Sequence, residues 1–167
     1  MTPFGVLVIS ALYELAQWML DNAYKVDSDR RSLAIYKIRF MKIIMLTGPS
    51  DSGKTKTLHD LYKQLSPEGA NDVEPPKPHP LDNRDSVYYL RYNNKKIGIV
   101  TLGDYCNEIL SQIIIFLNKG ADVLVIANSN KVSAPLHTSH NDLVDCVIVK
   151  KNNIHEIGKV QEIIELL

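Results

Sequence analysis

KIIMLTGPSDSGKTKTLHDLYKQL, residues 42–65, changes its hydrophobic period across a loop bounded by two glycines. Lys42 to Thr47 is a short apolar run rich in β-branched residues, as expected of a strand buried on both faces. Beyond the loop, Leu58, Leu61, Tyr62 and Leu65 fall at helical spacing, which predicts a helix from about Lys54 to Leu65. Between them, Gly48-Pro49-Ser50-Asp51-Ser52-Gly53-Lys54-Thr55 fits the spacing G-x-x-x-x-G-K-[ST]. Each fixed position has a physical reason. Glycines let the backbone curl round an anion without a Cβ in the way, and successive N–H groups then form a nest at the positive end of the next helix. Lys54 can reach the terminal phosphates of a bound nucleotide, and the Thr55 hydroxyl can ligate Mg²⁺.

Outward from this stretch, the chain alternates buried strands with amphipathic helices. Ser86 to Tyr92 and Lys96 to Leu102 read as strands of a β-hairpin about Asn93-Asn94-Lys95, since asparagine tolerates positive φ. A helix is expected from Tyr105 to Asn118, stopped by Gly120. Asp122 to Ala127 and Asp145 to Lys150 are further buried strands. A final helix would carry Ile157, Val160, Ile163, Ile164 and Leu167 on one face, with Asn153 and Glu156 as its capping box. Ser66 to Asp85 contains six prolines and glycines, and the expectation is a long, mobile loop. The fold class expected is α/β: a mainly parallel sheet with helices on both faces, plus an antiparallel hairpin.

GPSDSGKT between a strand and a helix resembles the P-loop NTPase family. The resemblance implies a P-loop NTPase-like fold that binds ATP with Mg²⁺. Gly48 to Lys56 would contact the phosphates, Lys54 would act catalytically, and Thr55 would hold the metal. Asp51 departs from the glycine common in such loops, although aspartate tolerates left-handed backbone angles. A second acidic residue after a hydrophobic strand is expected to hold Mg²⁺, and Asp104, after IGIVTLG, is the candidate, doubling as a helix cap. Asp122 is weaker, because it opens its strand at the opposite edge of the sheet. The hairpin followed by Gly103-Asp104 is similar to short bacterial ATP-binding proteins of the P-loop class, over roughly Met41 to Leu167.

Other signals carry less. Asn130-Lys131-Val132-Ser133 has serine where a guanine reader needs a carboxylate, so adenine is expected, or a base barely read. Asn128 to Lys131 follow a strand at the sheet edge where open α/β folds bind ligands, which makes them candidate contacts to base or substrate. His137 and His140 lie in loop-like sequence without a third ligand. Tyr88, Tyr89, Arg91 and Tyr92 are read as ordinary strand residues rather than a nucleic-acid platform.

Equal numbers of acidic and basic residues, 19 each, exert no global pull on nucleic acid. Cys106 and Cys146 form no metal-ligand pattern and read as reduced thiols of a cytoplasmic protein. Phe4 to Leu20 is apolar but striped by Ser10, Glu14, Gln17 and Asp21, which suits an amphipathic helix rather than a membrane span or signal peptide. Residues 1–40 are expected to form a helical extension, with 41–167 as the nucleotide-binding domain and Met41 as an alternative start. Two functions follow: Mg²⁺-dependent ATP hydrolysis or phosphoryl transfer, or a slow nucleotide-dependent switch acting through a protein partner.

Overall fold

A computed structural model describes residues 41–79, 84–102, 106–129 and 145–167. The expected N-terminal extension, Asp104, Asn130 to Ser133 and the pair His137 and His140 lie outside the described residues.

The sheet has six strands in the order β2-β3-β4-β5-β1-β6. They are β1 (Lys42–Gly48), β2 (Asp72–Pro78), β3 (Ser86–Tyr92), β4 (Lys95–Val100), β5 (Val123–Ser129) and β6 (Asp145–Lys150). Three helices accompany them among the described residues: α1 (Lys54–Leu65), α2 (Cys106–Lys119) and α3 (Lys159–Leu166). β1 lies between β5 and β6, parallel to both, and β4 runs parallel to β5. β3 pairs antiparallel with β4 and with β2. The architecture is thus α/β with a mixed sheet, rather than the mainly parallel one expected.

The difference comes from β2. Its sequence, DVEPPKP, falls inside the stretch expected to be a loop, because proline cannot donate to a ladder. An edge strand needs donors on one side only, and bulges between Asp72, Glu74 and Lys77 pass Pro75 and Pro76 through the pairing with β3. Side chains hold it in place. Asp72 accepts hydrogen bonds from Tyr62 (2.9 Å) and Ser66 (2.7 Å), and Glu74 accepts one from Lys119 of α2 (2.8 Å).

Strand alternation sorts the core into two layers. On one face Ile44, Leu46, Val125 and Ile99 pack with Leu58, Leu61 and Leu65 of α1 and Ile163 of α3. On the other, Ile43, Met45, Leu124 and Ile126 pack with Ile109, Ile113 and Phe116 of α2. Helices therefore cover both faces. α2 stops at Gly120, whose φ is 73°. α3 is shorter than expected: its N-cap is Gly158 with no side-chain cap bond. Asn153 and Glu156 instead bond within the preceding loop, and Ile157 stands 91% exposed outside the core. None of the helices described is long and apolar enough to cross a membrane.

Candidate functional site

β1 delivers the chain to the carboxyl end of the sheet, where Gly48 begins the loop and Lys54 opens α1. Two loop residues take left-handed backbone angles, Asp51 (φ 62°) and Gly53 (φ 80°), so Asp51 adopts the conformation expected of it. A turn closes between them and Pro49, where the Ser52 amide donates to the Pro49 carbonyl at 3.3 Å. α1 has no acidic side chain in its first turn and no side-chain cap. Its positive end consequently meets the loop uncompensated.

The Lys54 side chain is buried, and its ammonium donates to the carbonyls of Gly48 (2.9 Å) and Pro49 (2.7 Å), with Ser52 Oγ at 3.5 Å. It therefore spans the loop from within. Gly48 admits no larger residue: a Cβ there would stand 2.0 Å from the Lys151 carbonyl oxygen. That oxygen belongs to the loop after β6, whose Lys151 amide donates to Thr47 O at 2.7 Å.

Ser50, Asp51, Gly53, Lys54, Thr55 and Lys56 line an open cleft of about 1000 Å³. The predicted loop thus comes together on one cavity, with Gly48 and Ser52 buried beneath it and Pro49 exposed. Lys56 also pairs with Asp60 at 2.7 Å, on the exposed face of α1.

The opposite wall supplies a carboxylate that sequence reasoning missed. Asp85, largely buried, accepts hydrogen bonds at Oδ1 from Thr101 (2.7 Å) and, more weakly, from Thr55 (3.4 Å). The Thr101 hydroxyl in turn accepts from the Ser86 amide at 2.9 Å, which fixes its orientation. A signal for this was present in the hairpin. The turn holds only Asn93 and Asn94, both with positive φ, so Tyr92 pairs with Lys95 and the register runs to Val87 opposite Val100. Extending that register sets Ser86 and Asp85 beside Thr101 and Leu102, at the end of the sheet where β1 also finishes.

His59, one turn beyond Thr55 on α1, also borders the cleft. Its Nδ1 lies 2.5 Å from the Tyr88 hydroxyl, and Tyr88 stacks on Tyr62 with ring centroids 3.9 Å apart. Burial lowers the His59 pKa, with the nearby Asp85 carboxylate opposing the shift. The Tyr62 phenol is pushed up to about 12, first by burial and then by its bond to the Asp72 carboxylate.

Two expected positions stand elsewhere. Asp122 sits at the far end of the sheet, where its carboxylate accepts from the Lys96 amide at 2.8 Å. Asn128 is buried with Nδ2 against Met45 Sδ, on the α2 side of the sheet, and does not border the cleft. Among the described residues no three His, Cys, Asp or Glu side chains gather as a metal-holding group. Comparison with protein-family models, curated proteins and solved structures gives no match.

Proposed function

We propose that the protein binds ATP with Mg²⁺ and hydrolyses it or transfers its terminal phosphoryl group. One observation carries this reading. A strand–loop–helix passage with left-handed backbone at Asp51 and Gly53 holds a buried lysine across the loop and opens on a cleft. A buried ammonium bonded to main-chain carbonyls is a cation kept at the one place where phosphate oxygens would meet helix N–H groups. A bound triphosphate would compete with the Gly48 and Pro49 carbonyls for the Lys54 ammonium.

The residues present also fit a hard divalent cation. Thr55 and Asp85 put a hydroxyl and a carboxylate within 3.4 Å of each other at the cleft wall. Magnesium takes few protein ligands and fills its sphere with water and phosphate oxygens. When bound, it would neutralise charge developing on the transferred group. Asp85 therefore joins Thr55 as a proposed metal ligand, in the role expected of Asp104. Thr101 orients the Asp85 carboxylate, and Lys54 stabilises the negative charge of the phosphates.

Calorimetric titration with ATP in the presence of Mg²⁺ tests the reading. Lys54→Ala should weaken binding at least tenfold, about 1.4 kcal/mol. Equal affinities in the two proteins would remove its main support. Phosphate release with and without candidate acceptors then separates turnover from slow switching.

A further inference from the structure

The loop after β6 forms a second, differently built wall of the cleft. Lys151 anchors it at both ends: its amide bonds Thr47 O, and its ammonium donates to Glu156 O at 2.6 Å. The Glu156 carboxylate accepts from the Asn152 amide (2.7 Å), and the Asn153 side chain accepts from the His155 amide (3.0 Å). A loop bonded internally in this way fixes the side chains at its tip. Ile154 is at that tip, bordering the cleft, 3.5 Å from where a Cβ on Gly53 would lie.

An exposed isoleucine means nothing by itself. Its position is what matters. Most of the cleft wall is charged or polar, and its other apolar side chains, Leu102 and Ala127, are 4% and 2% exposed, with no area left to offer. Among the described residues, Ile154, 61% exposed, is the apolar lining residue still able to cover a ligand. It cannot favour phosphate. A nucleotide whose phosphates occupy the Gly48–Thr55 loop has one large apolar part, its flat base, and Ile154 stands beside Gly53 on the same cleft, where it can meet the part of the ligand that extends from the loop.

We infer that Ile154 is the base platform of this site: the loop after β6, rather than Asn128, contacts the nucleobase through an apolar face. This rests on the proposed nucleotide site. An aliphatic platform covers adenine and guanine alike, so it supplies affinity for a purine nucleotide with little choice between the two.

The test compares ATP with inorganic tripolyphosphate, both with Mg²⁺, by calorimetry on the full chain. Covering about half of an isoleucine side chain is worth roughly five- to tenfold in affinity. Ile154→Ser should weaken ATP by that factor and leave tripolyphosphate unchanged. Ile154→Met, which keeps an apolar side chain, should retain ATP affinity. Ile157→Ser, three residues on and outside the cleft, should alter neither ligand. If Ile154→Ser weakens both ligands equally, or neither, the platform assignment is overturned while the phosphate site stands. If wild type binds tripolyphosphate and ATP equally well, the base has no platform and the inference fails. If wild type binds neither, the nucleotide site itself is wrong and the inference falls with it.

Discussion

Replacing Gly48 by alanine tests the geometry on which the phosphate loop depends. The new methyl would lie 2.0 Å from Lys151 O and 2.8 Å from Ser52 Oγ. The serine can rotate, but the carbonyl cannot easily retreat. Its own residue is tied through the amide to Thr47 O at 2.7 Å and through the ammonium to Glu156 O. To bring the contact beyond 3.0 Å, either β1 must shift or the β6 loop must lift away. Overpacking a well-filled site costs about 1–3 kcal/mol, and a rigid backbone oxygen places this variant at the upper end, about 3 kcal/mol. For a chain of this size that is roughly a 6–12 °C fall in melting temperature. Because the Gly48 carbonyl also holds Lys54, triphosphate binding should weaken in the same variant. Urea denaturation with an unchanged m-value is the assay. A loss below 1 kcal/mol would show that the two loops do not meet as described.

Asp85→Asn retains an oxygen for Thr101 but removes the charge, so the fold should hold while the Mg²⁺ enhancement of ATP affinity drops about tenfold. Unaltered metal titration would exclude Asp85 as a ligand. Leu61, fully buried on the sheet-facing side of α1, should cost about 2–5 kcal/mol when cut to alanine. A loss near zero in denaturant titration would mean α1 is not packed on the sheet. The lowered pKa of His59 implies a pH dependence of stability. The unfolded chain protonates this histidine at about 6.5 while the folded protein resists, so stability falls as pH drops through that value. His59→Asn should flatten that part of the melting-temperature profile, and parallel profiles for the two proteins would contradict it.

Much of this was legible in the sequence, for local reasons. β1, the glycine loop and α1 could be read because β-branched burial, Gly48, Gly53 and the leucine spacing all act within a few residues. β2 was not, since proline argues against a strand unless the strand is known to be at an edge, and edges belong to the whole sheet. Ile157 was misplaced for a related reason: its spacing matches α3, but Gly158 and the bonds of Glu156 start the helix later. Asp85 faces Thr55 from 30 positions away, through a hairpin register that hangs on a two-residue turn. Ile154 acquires meaning only because β6 pairs with β1 and sets its trailing loop against the phosphate loop.

The prolines of β2 also bear on what the edge of this sheet offers to another strand. An open sheet edge is a template on which another chain can lay a strand, each new ladder needing donors at regular intervals. Pro75, Pro76 and Pro78 have no N–H to give, and the bulges at Glu74 bend what remains. Lys77, exposed on the same strand and paired with Glu74 at 3.0 Å, adds a charge that a docking strand would have to desolvate. The segment that disguises itself as a loop in the sequence is thus, among the described residues, an edge poor in donors and an unfavourable template for a strand from another copy.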